Sequence, residues 1–187
     1  MKKIRSILIL IPFFLSLSSC EKDDICDPGT STTPRLVIEF YDYANQAATR
    51  TVSNLKVTGI GGNPKGVVFN TANDDTKYLT SASKISIPLQ NIASSSSADF
   101  SKFAFILNAT STTSIATDSI KFNYSHNDVY ISRACGFKTL FNLKGTTDKS
   151  YILNNNPNPT SGNWIRKIDV IQPNVSNENE THVKIYF

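Results

Sequence analysis

Apolar and polar residues alternate at every second position through most of this chain, and that period predicts β-strands. In PRLVIEFYD, Leu36, Ile38 and Phe40 share one face. In NLKVTGI, Leu55 and Val57 alternate with Asn54, Lys56 and Thr58. KISIPLQ turns Ile85, Ile87 and Leu89 inward, and Pro88 points to an edge position because proline donates nothing to a ladder. KFAFILN, DSIKFNYS and HVKIYF repeat the alternation through Phe103, Phe105 and Leu107, then Ile120, Phe122 and Tyr124, then Val183, Ile185 and Phe187. NWIRKIDVIQ places Trp164, Ile168 and Val170 on one side and Ile165 and Ile171 on the other. DVYISRACGFKTLFNL is longer than most strands, so Cys135-Gly136 is expected to bend or turn it.

Between these stretches lie turn-rich segments such as GIGGNPKG, NTANDDTK, NNNPNPTSGN and QPNVSNENE. Helical signals are poor: DYANQAAT has room for one turn, and the serine run in NIASSSSADF is a weak helix former. About nine or ten short strands without helical crossovers predict an all-β fold, an antiparallel β-sandwich, with a closed β-barrel as the alternative.

The front of the chain breaks the alternation. Lys2, Lys3 and Arg5 precede an 11-residue apolar run from Ile7 to Leu17, which reads as a secretory signal. The run is too short to span a bilayer, which takes about 20 apolar residues. LSSC, Leu17 to Cys20, resembles the bacterial lipobox: an aliphatic residue, two small residues, then cysteine. The resemblance implies that Cys20 carries the lipid and begins the mature chain. Glu21, Lys22, Asp23 and Asp24 resemble the acidic export signal that follows the lipid cysteine in Bacteroidota lipoproteins. That resemblance implies the outer face of the outer membrane; a solvated acidic linker, with the domain on the periplasmic face, is the alternative. The organisation expected is a signal peptide over 1–19, an anchor and tether over 20–33 and one β-sandwich domain over 34–187.

Charge then changes meaning. The leading segment holds three of the 19 basic residues and none of the 15 acidic ones, so the net charge of +4 falls to about +1 without it. No nucleic-acid footprint remains. With Cys20 lipidated, Cys26 and Cys135 are left, and an oxidising compartment favours a disulfide between them over a metal site. Two free thiols are the alternative.

The search for chemistry is largely negative. His126, in SHND, reads as part of a hairpin turn and His182 as the start of the last strand; each is expected to be a surface or edge residue, and neither has a metal-ligand neighbour. No nucleophile elbow, zinc-protease helix, phosphate loop or dinucleotide fingerprint occurs. Asn73 to Asp75 supply loop oxygens but too few for calcium and read as a polar turn. Glu39 reads as half of a cross-strand pair. Tyr41, Tyr43, Tyr130, Tyr151 and Trp164 are candidates by type for a glycan-stacking platform, with core packing as their ordinary role. Asp118-Ser119-Ile120 resembles the short O-glycosylation sequon of Bacteroidota exported proteins, which would put a glycan on Ser119.

CEKDDIC, TTPRLVIEFYD, ISRACGFKTLFNL, NWIRKIDV and HVKIYF together resemble an uncharacterised family of Bacteroidota lipoproteins, a domain of unknown function. Two of these pieces each hold one cysteine of the Cys26–Cys135 pair, which supports the disulfide. The resemblance implies an outer-membrane lipoprotein with a β-rich domain and transfers no activity. The expectation is a non-catalytic envelope protein held to the membrane through Cys20, with an envelope protein as its partner. It needs no cofactor and no metal. A surface glycan-binding module is the second reading and a hydrolase the third.

Overall fold

The alternation becomes eleven strands in a computed structural model, which describes residues 25–30, 32–61, 66–91, 99–143, 149–156 and 162–187. They are β1 (Leu36–Tyr41), β2 (Val52–Gly59), β3 (Leu79–Ala82), β4 (Lys84–Ile87), β5 (Asp99–Leu107) and β6 (Ala116–Ser132). β7 (Gly136–Asn142), β8 (Tyr151–Leu153), β9 (Lys167–Val170), β10 (Asn174–Val175) and β11 (Val183–Tyr186) complete the set. One turn of 3₁₀ helix, Asp75–Tyr78, is the only helix among the described residues. The described residues fall into two compact units, 25–30 with Tyr130–Phe137, and the rest of the described chain.

The larger unit is a β-sandwich and not a closed barrel. One sheet has four strands in the order β4-β1-β11-β9; the other has seven, β10-β7-β6-β5-β2-β3 with β8 also paired to β6. The predicted inward faces meet between them. Leu36, Ile38, Phe40, Val183 and Ile185 come from the first sheet, and Leu55, Val57, Phe103, Phe105, Ile120 and Phe122 from the second. Pro88 directly follows β4, an edge strand, as its missing donor requires.

Three details differ from the alternation alone. The sheets are antiparallel except where β1 meets β11, with Ile38 opposite Val183 and Phe40 opposite Ile185. A parallel pair cannot be joined by a hairpin, and here nearly the whole domain is the connection. Second, SHND is not a turn. β6 runs through it for 17 residues, and the reversal comes at Arg133–Cys135, where Gly136 adopts φ +69°. Third, β2 carries a bulge between Val52 and Leu55, where Asn54 takes φ +44°. Asparagine tolerates that left-handed geometry better than most residues. Asn154 and Asn155 use the same freedom in consecutive positions, and the Asn156 N–H donates to the Leu153 carbonyl at 2.9 Å, closing the turn.

Asp118 is a carboxylate on a core-facing position of β6, fully buried. One oxygen accepts from the Asn154 side-chain amide at 2.6 Å and the Asn163 N–H at 2.7 Å. The other accepts from the Trp164 and Ile165 N–H groups, both at 2.8 Å. Four donors replace the water that burial removes. The loop they belong to presses so closely that a Cβ on Gly162 would lie 2.6 Å from the carboxylate. This loop carries Trp164, whose ring meets Phe187 edge-on at 5.5 Å and lies 6.4 Å from Phe40.

His182 is fully buried, contrary to the expectation of a surface or edge residue. Its Nδ1 accepts the Val37 N–H at 3.0 Å, and its own N–H donates to the Val37 carbonyl at 3.0 Å. It thereby starts the parallel β1–β11 ladder. Its Nε2 is buried without a partner, and burial holds its pKa below the ordinary 6.5.

Two outcomes follow. Asp118→Asn places an amide among backbone N–H groups that need an acceptor, and should cost about 3 kcal/mol in urea unfolding. A loss under about 0.5 kcal/mol would contradict the clamp. For His182, the unfolded chain binds a proton with its ordinary affinity while the folded chain resists it. Stability is therefore full above about pH 6.5 and falls as pH drops below that value. His182→Asn, which offers an acceptor to Val37, should show a flatter midpoint-against-pH curve than wild type between about pH 7 and 5.5.

Candidate functional site

Polar groups that face inward at one stretch of the sandwich form the first candidate. On β5, Asp99 and Ser101 stand on the same buried face as Phe103 and Phe105. Across the ladder they meet β6, with Asp99 opposite Tyr124 and Ser101 opposite Phe122. The Ser101 hydroxyl and the Tyr124 hydroxyl lie 2.7 Å apart, and Ser101 Oγ accepts the Gln90 N–H at 2.9 Å. Tyr124 donates to the Gln90 carbonyl at 2.6 Å, and burial pushes its pKa up to about 12. It remains a neutral donor at any physiological pH.

His126 Nδ1 is hydrogen-bonded to Asp99 Oδ2. Asp128 accepts from the Thr139 hydroxyl at 2.6 Å and the Asn91 amide at 3.3 Å, and the Thr139 N–H donates to Thr33 Oγ1. His126 also lines a groove of about 530 Å³ with Ser125, Asn127, Leu140, Phe141, Asn142, Asn174 and Ser176. A carboxylate behind an imidazole is the positioning half of a nucleophilic triad. Among the described residues no hydroxyl or thiol is hydrogen-bonded to that imidazole. The groove offers amides and hydroxyls, groups that hydrogen-bond a neutral polar ligand.

The outer face of the four-stranded sheet is the second candidate. Tyr41 and Tyr186 face each other across the β1–β11 register, ring centres 5.6 Å apart and planes 39° apart. Lys184 lies over the Tyr41 ring at 4.3 Å and Lys167 over Tyr186 at 4.8 Å. The Asp169 carboxylate, 2.7 Å from Lys167 Nζ, raises that lysine's pKa further. Glu39 stands between Lys84 and Lys184 in register and accepts from the Tyr41 hydroxyl at 3.0 Å and the Thr181 hydroxyl at 3.1 Å. These rings are tilted and covered by cations, so they do not form the flat open surface on which a sugar stacks.

The smaller unit holds the third. Cys26 and Cys135 form a disulfide with Cα atoms 4.9 Å apart. Ser132 Oγ accepts the Cys135 N–H at 3.0 Å within the turn. Around it Ile25, Phe137 and Tyr130 are 82%, 68% and 55% exposed. Tyr130 and Phe137 pack edge to face at 5.3 Å.

The other residues singled out in the sequence take structural roles. Asp74 caps the 3₁₀ turn by accepting the Thr76 N–H, so NDD is the polar turn expected. Trp164 is buried, and its indole N–H donates to the Phe105 carbonyl at 3.1 Å. Tyr151 is half-buried and donates to the Ile168 carbonyl. Tyr43 is exposed. Asp118 of the proposed sequon is consumed by the clamp on the loop 162–165. Cys20, Glu21, Lys22, Asp23 and Asp24 lie outside the described residues. Among the described residues no three His, Cys, Asp or Glu side chains gather in a metal-binding group.

Sequence reasoning missed the Asp99–His126 and Ser101–Tyr124 contacts. Their signal was present: Asp99 and Ser101 continue, at spacing two, the inward face set by Phe103 and Phe105. A polar residue on a core-facing position must find a buried partner.

The model of a family of unknown function (DUF6452) matches residues 54–187. No curated protein and no solved structure matches the chain.

The bridge gives a direct expectation. A peptide map of unreduced protein should contain one fragment joining Cys26 to Cys135, and reduction should lower stability by up to ~4–5 kcal/mol for a loop of this span. Two separately alkylated thiols in untreated protein would contradict it.

Proposed function

Because the chain belongs to DUF6452, whose description assigns no activity, we propose a function from its residues: a lipid-anchored envelope protein whose β-sandwich binds or supports a partner without catalysing a reaction. The observation that carries this reading is the order of the three cysteines. Cys20 ends a lipobox-like LSSC behind a basic and apolar leader, and Cys26 and Cys135 are joined. A disulfide persists in oxidising compartments, so the bridge supports export. Export with a lipidated Cys20 leads to the outer membrane, and Glu21 to Asp24 favour its outer face.

The groove beside His126 favours a second reading, a glycan-binding surface module. Asn127, Asn142, Asn174, Ser125 and Ser176 supply the donors and acceptors that sugar hydroxyls use. The buried aromatic there, Phe141, offers little face for stacking.

Cys20→Ala should abolish fatty-acid labelling and release the protein from membranes; unchanged labelling would end the lipoprotein reading. Protease added to intact cells should digest the wild type and spare a variant with Glu21 to Asp24 made neutral. If both survive until the outer membrane is broken, the domain faces the periplasm.

A further inference from the structure

The disulfide brings the hairpin turn between β6 and β7 to a residue that lies six positions after Cys20. Six residues span at most about 20 Å even when fully extended. An anchor on Cys20 therefore confines Cys26, and the turn bonded to it, to within roughly that distance of the bilayer surface. Without the bridge, Cys135 would be more than a hundred residues of chain from the anchor.

What the bridge confines there is apolar and uncovered. Ile25 is next to Cys26, and Phe137 follows Cys135 by two positions. Tyr130 completes the group through its ring contact with Phe137. Three large exposed apolar side chains within one small unit are costly to leave in water and mark a contact surface. A tyrosine ring suits the headgroup level, where an apolar body and a polar tip are both satisfied. The nearby Asp27 is turned to its own loop, accepting the Gly29 N–H at 2.8 Å.

We propose that Ile25, Tyr130 and Phe137, held together by the Cys26–Cys135 bridge, seat in the interface of the bilayer that bears the anchor. This rests on the lipoprotein reading. The tether length favours lipid, because within about 20 Å of the anchor the bilayer is the one surface that the anchor itself guarantees. Three side chains give little affinity alone. The anchor supplies the local concentration, and the turn then fixes how the protein meets the surface.

Trp164, the one tryptophan, is buried and gives a constant background. Full-length acylated protein, with acyl chains verified by the mass of its N-terminal peptide, is reconstituted into vesicles of phosphatidylethanolamine and phosphatidylglycerol. Phe137→Trp and, separately, Tyr130→Trp report on the turn. The added tryptophan should lose most of its emission to lipids brominated on their acyl chains and become protected from aqueous iodide. Emission equal to the parent's response, with iodide access unchanged by vesicles, would overturn the proposal while the anchor stands. Iodide protection without bromolipid quenching would mean that protein covers the turn, and would overturn it too. Absence of acyl chains on the wild type removes the anchor, and the proposal with it.

Discussion

The fold depends on one buried carboxylate. Asp118 stands where the strand period calls for an apolar side chain, and its two oxygens each take two N–H donors. Three of those donors are consecutive backbone amides, Asn163 to Ile165, which no strand of either sheet pairs. The carboxylate therefore gives a tight loop the hydrogen bonds that a sheet would otherwise supply. The loop in turn delivers Trp164 to the aromatic group of Phe40 and Phe187, and Ile165 to the core. Phe40 belongs to the four-stranded sheet and Asp118 to the seven-stranded one, so this contact chain runs from one sheet to the other.

Most of the architecture was legible because side-chain alternation is a direct consequence of a half-buried strand. The inward residues of β1, β2, β4, β5, β6 and β11 were read from period alone. Run length, in place of period, pointed to a bend, bulge or turn at Cys135-Gly136, and the structure has the turn, with glycine accepting the positive φ. The misreadings have a common cause: polar residues were assigned to the surface. SHND was taken as a turn, yet His126 is engaged by Asp99 from the neighbouring strand, so β6 continues through it. His182 was placed at an edge, yet its ring replaces a missing strand partner for Val37. Asp118 was read only with its neighbours in sequence, and its clamp on the loop 162–165 went unseen. Each side chain satisfies a backbone or side-chain group that is distant in sequence, and no local pattern announces such a partner. β3, β8 and β10, of four, three and two residues, are too short for a period to show.

The candidate sites repeat that division. The cysteine pair was legible because its chemistry needs only an oxidising space and two thiols. The polar stretch around Asp99, Ser101, Tyr124 and His126 was not, although it uses the inward face of β5 as regularly as the phenylalanines do. Tyr124 illustrates the economy of the arrangement: its ring packs at 5.3 Å against Phe141 while its hydroxyl bonds Ser101 and the Gln90 carbonyl. One residue thus closes the core and satisfies its polar margin.

The parallel pairing of β1 with β11 bears on when the protein can fold. The four-stranded sheet has β1 and β11 at its centre, and more than 140 residues separate Leu36 from Val183. Until the segment Val183–Tyr186 is available, Ile38 and Phe40 have no neighbour on one side and the sandwich lacks much of one layer. Closing so long a loop is slow, and a chain that ends early has no partial version of this sheet to settle into. A nascent chain built this way cannot complete its four-stranded sheet while Val183–Tyr186 is still unmade. The order of synthesis thus puts closure of this sheet at the end, after every other strand has been made.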